Sequence, residues 1–406
     1  MGRRIVMSAV VAMLCGTPLL AQQGAPNVFL IDPSTILAAR ESYGKPDGEF
    51  KAALDLLLKD ARAALKSEPV SVLQKSEIPP SGDKHDYMSV APYWWPDPTK
   101  PGGVPYVRRD GERNPEYETL GDRKHLGKMI ADVQTLALAY FISGQESYAQ
   151  KAVGQLQTWF LDAAARMNPN LNFAQAIKGQ NNGRGIGIID AYGFRDVIDA
   201  IQLLQGSQHW TATTDQGIKG WFSAYLKWLQ ESPNGKDEAS QKNNHGSAYD
   251  VQVASIALYL GRKDIARDIA QGAQKKRIQL QILADGSQPL ELDRTKSWGY
   301  SMLNLEALTN LALLGDRVDV DLWHYAGADG RGIRKAIDFL LPYALGEKIW
   351  STKQIVPMER TQMFPMLRMA AVKYGDARYK EACDKLVSPE LMKSRTNLVL
   401  PRGISK

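Results

Sequence analysis

Cysteine is almost missing from this chain: Cys15 and Cys383 are the only two in 406 residues. Cys15 lies within an apolar N-terminal run, so an intrachain disulfide is excluded once that run is removed, and stability must come from a core. Histidine is nearly as scarce. His85, His125, His209, His245 and His324 are scattered, with no pair at ligand spacing and no cysteine partner, so neither a metal nor another cofactor is expected. Runs of lysine and arginine are absent too, as is any interleaving of basic and aromatic residues, which argues against a nucleic-acid partner. The formal net charge of +6, lowered by two if Arg3 and Arg4 are removed, favours a polyanion only weakly. Beyond the first twenty residues no segment has the apolar length of a membrane span.

The N-terminus itself is distinctive. Met1-Gly2-Arg3-Arg4 precedes an apolar run from Ile5 to Leu20, broken only by Ser8, Gly16 and Thr17, and Ala21 follows. A basic start, a short apolar centre and a small residue at the end read as a secretory signal over 1–21, with a periplasmic or secreted mature protein of residues 22–406.

Strand-like alternation is rare, whereas helical periodicity runs through the chain. In 48–68 the residues Phe50, Ala53, Leu54, Leu57, Leu58, Ala61 and Leu65 mark one helix face. The same period predicts helices over roughly 122–143, 146–166, 186–205, 213–230, 247–260, 263–283, 299–314, 330–345, 363–374 and 377–387. A weak repeat organises them: Gly144, Gly261 and Gly375 each end one apolar helix and open the next, as a left-handed glycine cap would. The result is a stack of antiparallel helix hairpins. Such a stack closes into an α/α toroid or stays open as a solenoid. Low repeat identity and long polar loops point to one all-α toroid domain, its loops lining a central cleft.

Three polar insertions interrupt the helices. The first, about 81–118, holds His85-Asp86-Tyr87-Met88-Ser89 and Tyr93-Trp94-Trp95-Pro96-Asp97-Pro98. So much proline excludes regular helix, and so many aromatics argue against a disordered linker. Its aromatic rings suit sugar faces or a plug at the barrel end. The second, Gln180-Asn181-Asn182-Gly183-Arg184-Gly185-Ile186-Gly187, has no strand pattern before it and the wrong glycine spacing for a nucleotide fingerprint. Its glycines allow close backbone approach beside two amides and a cation. The third runs from Asp285 to Tyr300, with Arg294 and Tyr300 placed to bracket a turn.

Between the last two lies the chemical centre, Gln241-Lys242-Asn243-Asn244-His245-Gly246-Ser247-Ala248-Tyr249-Asp250, after a Pro-Asn-Gly turn signal at 233–235. With Asn243 or Asn244 as helix cap, His245 falls in the first turn, where free N–H groups and the helix dipole favour an anion.

Asn243-Asn244-His245, followed further along by Arg294 and Tyr300, resembles the signatures of the alginate lyase superfamily. The aromatic loop is similar to the branch grouped as polysaccharide lyase family 38. That resemblance, over roughly 80–350, implies β-elimination at a uronic acid of an anionic polysaccharide, alginate or glucuronan. It implies Tyr300 as the acid, and as the base too on the syn side; His245 as the base on the opposite face; and Asn182, His245 and Arg294 as neutralisers of the carboxylate. Asn181, Arg184, Asn243, Asn244, Tyr249, His85, Tyr87, Trp94 and Trp95 are the substrate-binding candidates. A phenolate at Tyr300 needs a cation such as Arg294, since free tyrosine titrates near pH 10. Two other readings stay open: a glycoside hydrolase using a pair among Asp250, Asp285, Glu291 and Asp293, and a binding protein without turnover.

Overall fold

The computed structural model describes residues 24–401, so the segment read as a signal, 1–21, lies outside the described residues. Long helices dominate, and their burial separates them into two layers. In the helix Asn244–Tyr259 every residue except His245 is buried, and the helix Ser297–Asp316 is buried over most of its surface. Helices apolar on all sides belong inside. By contrast, Lys263–Ala273 buries only Ala266, Ala270 and Ala273, a single stripe facing inward. Asp122–Ser143, Phe194–Leu204, Asn244–Tyr259 and Ser297–Asp316 pack one against the next as the inner layer, with Glu146–Phe160, Ala212–Glu231 and Lys263–Ala273 outside them.

The glycine caps lie where the repeat predicts them. Gly144, Gly261 and Gly375 have φ of 71°, 75° and 61°, and each joins two antiparallel helices. The ring then closes: the C-terminal helices Pro389–Lys393 and Thr396–Val399 pack on the N-terminal helices Pro33–Glu41 and Lys51–Lys66, and Asp32 N donates to Val399 O at 2.7 Å. Closure decides for the toroid over the open solenoid. The main hydrophobic core runs from Val28 to Leu398, and a small second cluster gathers Ala91, Tyr106 and Ile177 at the insertions.

Local differences from the periodicity have identifiable causes. Pro-Asn-Gly at 233–235 is the first turn of a helix, Pro233–Ser240, rather than a loop. Ser232 Oγ caps it by accepting from Gly235 N at 3.0 Å, and proline is favoured at the first helical position. The span 263–283 is broken by a π-turn over Gln274–Ile278, and 186–205 begins as a 3₁₀ stretch, Gly185–Ala191. Four short strands appear among the described residues, three in the aromatic insertion and one ahead of the second: β1 (Met88–Val90) pairs in parallel with β4 (Phe173–Ala176), and β2 (Trp94–Trp95) pairs antiparallel with β3 (Val107–Arg108). Thus a strand, β4, does precede the second insertion.

Cys383 is buried, and burial pushes its thiol up to about 12. A thiol that stays protonated is a poor nucleophile. Ellman's reagent is therefore expected to leave the folded protein unmodified and to titrate one thiol of the mature chain after denaturation.

Candidate active site

Two inner helices begin at one cleft of about 530 Å³, roofed by the aromatic insertion. Asn243 caps the helix Asn244–Tyr259, its Oδ1 accepting from His245 N at 3.2 Å, so His245 sits in the first turn as its spacing predicts. The preceding strand of chain is pinned from behind. Arg277, on the π-turn, forms a buried bidentate pair with Asp250 (2.7 and 3.0 Å) and donates to Gln241 O and Ala239 O at 2.7 and 2.8 Å. Gly246 has no room to be anything else: an added Cβ would lie 2.1 Å from Gln241 O and 2.3 Å from Arg277 Nη1. Gly246→Ala should therefore lower stability by about 1–3 kcal/mol, seen as a lower melting temperature, and activity should fall with it as the loop is displaced.

Asn244 and His245 each have a carboxylate behind them. His245 Nδ1 meets Glu238 Oε1 at 2.9 Å, which leaves Nε2 as the free ring nitrogen. Glu238 is wholly buried on the helix Pro233–Ser240, and burial raises its carboxyl despite the opposing pull of His245. Asn244 N and Nδ2 donate to the two oxygens of Glu291, both at 2.7 Å. Burial likewise raises Glu291, against the two Asn244 donors.

Opposite them stands Tyr300. Its hydroxyl receives a hydrogen bond from Arg294 Nη2 at 2.8 Å and donates to Tyr93 Oη at 2.9 Å, while the guanidinium lies 3.8 Å over the phenol ring. Arg294 is itself held by Asp110 of the aromatic insertion, through Nε at 3.2 Å and Nη2 at 2.8 Å. Burial alone would raise the Asp110 carboxyl, but Arg294 and the N–H of Thr295 outweigh it and keep it well below the usual carboxylate range. At Tyr300 the balance goes the other way. Burial first, then Tyr93, push the phenol up, and Arg294 opposes them without prevailing. These surroundings favour the neutral phenol over the phenolate that a nearby arginine suggests.

The remaining wall is polar. Asp190 accepts from Tyr87 Oη (3.0 Å), Ser89 Oγ (2.6 Å) and Gln175 Nε2 (2.9 Å), and lies 3.5 Å from Arg123. Arg108, Arg113, Arg123, Arg184 and Arg294 all line the cleft, and Asp190 is its one lining carboxylate among the described residues. The cleft is electropositive. Among those residues no group of three or more His, Cys, Asp or Glu gathers as metal ligands.

Of the residues singled out in the sequence, Tyr300, His245, Arg294, Asn243, Asn244, Arg184 and Trp94 line this cleft. Six others do not. Asn181 and Asn182 line a separate hollow with Ile78, Met88 and Val90, because the chain doubles back through the Ile177–Asn181 bridge before Arg184 N returns to Ala174 O. Tyr249 is buried in the core, its hydroxyl donating to Leu229 O at 2.9 Å. Tyr87 is buried behind Asp190 and supports the wall without lining it. His85 is tied to Arg166 O, away from the cleft. Trp95 turns outward to Glu112 O, since neighbours on a strand face opposite sides and Trp94 faces in. The carboxylates considered for hydrolysis also have other duties: Asp250 pairs with Arg277, Glu291 holds Asn244, Asp285 caps a turn at Ser287 N, and Asp293 does not line the cleft. Glu238, Asp110, Gln175 and Asp190 carried no local signal of a role.

Comparison with known proteins agrees with this architecture. The sequence profile of the family described as alginate lyase matches residues 71–350. An alginate lyase from Bacteroides ovatus is 40% identical, superposes with a TM-score of 0.87, and the match covers 92% of this chain and 99% of that one. The alginate lyase A1-III of Sphingomonas species A1, at 19% identity and TM-score 0.57 over 91% of this chain and 97% of its own, shares the fold. So does a variant of A1-III solved with a tetrasaccharide, at 18% identity and TM-score 0.58 over 92% and 97%. No curated protein sequence matches. With the profile spanning well over half of the residues and the Bacteroides relative aligned almost end to end, the chain belongs to the alginate lyase family and is a polysaccharide lyase.

Proposed function

We propose that this lyase cleaves a polyuronate, alginate or a related uronan, by β-elimination, and that it does so outside the cytoplasm, as its leader-like N-terminus suggests. The observation that carries this reading is the pair of groups facing across one arginine-lined cleft: a neutral Tyr300 phenol and a His245 imidazole with Nε2 free. His245 Nε2 takes the proton from C5 of the uronate. As the C4–C5 double bond forms, the C4–O4 bond breaks and Tyr300 Oη gives its proton to O4. The chain ends in a 4,5-unsaturated uronate. Removing a proton beside a carboxylate builds enolate-like charge, and Arg294, whose Nη1 has no protein acceptor, is a lining donor available to stabilise it.

A single tyrosine acting as base and then acid, the syn route, would require Tyr300 to ionise first. Burial works against that, which favours His245 as base. Ultraviolet absorbance followed with polymannuronate, polyguluronate and glucuronan in turn tests the proposal. A rise reports the conjugated unsaturated product and names the polymer. New reducing ends without absorbance would overturn elimination in favour of hydrolysis.

A further inference from the structure

The cleft arginines are not equivalent. Arg294 and Arg108 meet Asp110, Arg123 meets Asp190, and Arg113 meets Glu118. Among the described cleft residues, Arg184 is the arginine with no carboxylate within ion-pair distance. Its Nε donates to Gln175 O and its Nη2 to Gln175 Oε1, both at 3.1 Å, and Nη1 has no protein acceptor. A guanidinium largely withdrawn from water without a counter-ion is costly. Burial, with Arg108 adding repulsion, draws its pKa down to about 10 against the weaker pull of Asp190, Glu238 and Asp237, none of them within ion-pair distance.

The surrounding backbone makes this placement deliberate. An added Cβ on Gly183 would lie 2.0 Å from Asn172 O, on Gly185 2.6 Å from Asn234 O, and on Gly187 2.5 Å from Ala174 O. The three glycines let the segment press against its neighbours on both sides of Arg184. Gln175 adopts φ of 50°, rare for a residue with a side chain. Its amide is fixed on both ends: Nε2 donates to Asp190, so Oε1 must face Arg184. Local strain of this kind is retained where the fold holds it in place, and such outliers gather at functional sites. Beside the guanidinium, 5.9 Å away, is the ring of Trp94.

Resting on the polyuronate reading above, we infer that Arg184 receives the carboxylate of a second uronate, next to the one that loses its C5 proton. None of the hydrogen bonds of Arg184 reaches Tyr300, Arg294, Asn244 or His245. It stands instead with Trp94, whose face suits a neighbouring sugar ring, and its planar fork matches a carboxylate. The enzyme thereby requires acid groups on adjacent residues of the polymer, which separates homopolymeric uronans from chains that alternate uronate with neutral sugar.

The test compares native enzyme with Arg184→Met on a uronan, and on the same uronan with half its carboxyls reduced to primary alcohols. On the unmodified polymer, Arg184→Met should raise KM on the order of 10–100-fold, the range for losing a charge-assisted hydrogen bond, with a much smaller change in kcat. The native enzyme should lose activity on the reduced polymer more steeply than the fraction of uronate lost, whereas the variant should lose it only in proportion. Arg184→Lys, which keeps the charge, should recover part of the KM loss, and thermal melts show whether each variant is folded. An unchanged KM in Arg184→Met would overturn the inference. So would a fall in kcat at constant KM, which would place Arg184 at the reacting sugar. Absence of unsaturated product from native enzyme on every uronan would instead sink the polyuronate reading beneath it.

Discussion

Tyr300→Phe should lower kcat by about 10²–10⁴-fold, the range for losing a positioned general acid, with little change in KM. The substitution removes one oxygen and nothing else. The ring keeps its place under Arg294, which is anchored independently by Asp110, so the cleft retains its shape. What is lost is the proton that O4 must receive as the C4–O4 bond breaks. Single-turnover absorbance measurements would separate this from slow product release. A variant that kept more than a tenth of the native kcat would exclude Tyr300 as the acid.

His245→Ala should have an effect of similar size, about 10²–10⁴-fold in kcat, because no other base is on offer. The neighbouring carboxylates are committed elsewhere: Glu291 to Asn244, Asp190 to its three donors and to Arg123, and Asp110 to Arg294 and Thr295. This variant also leaves Glu238 buried without its partner, so a lower melting temperature is expected alongside the loss of rate. Added imidazole distinguishes the two consequences. It can restore proton transfer in the space vacated by the side chain, because the backbone N–H of residue 245 still bonds Asn243 Oδ1 and keeps the turn in place. Rescue supports a base at this position, whereas a native rate in His245→Ala without imidazole would require the proton to leave by another group.

Much of the fold could be read from spacing, because the two layers bury different amounts of each helix. The glycine caps were legible for the same reason: Gly144, Gly261 and Gly375 sit where an apolar stripe stops and restarts. Pro233-Asn234-Gly235 was misread as a turn because those residues suit loops equally well, and only the Ser232 cap turns them into a helix start. At the site, Asn243, Asn244, His245, Arg294 and Tyr300 carried a local pattern and all line the cleft. Asn182 was misplaced by a three-residue reversal, Lys178 to Gln180, that no periodicity reports, while Arg184, two positions on, reached the cleft. Asp110 and Glu238 are single acids in polar surroundings. Asp110 finds Arg294 at a separation of 184 residues, a pairing that exists only once the ring has closed.

The π-turn at Gln274–Ile278 has a consequence for what the helix can tolerate. Gln279 N bonds back to Gln274 O, one residue further than an α-helix allows. Were this turn to relax to regular α winding with every residue kept, everything beyond would rotate by about 100° about the axis. Arg277 would swing off the Gln241 and Ala239 carbonyls, and Gln281, which contacts Ser247 Oγ and Asn243 O, would turn away as well. Such winding would improve the helix locally and disable the enzyme, so the wide turn sets the phase between scaffold and cleft.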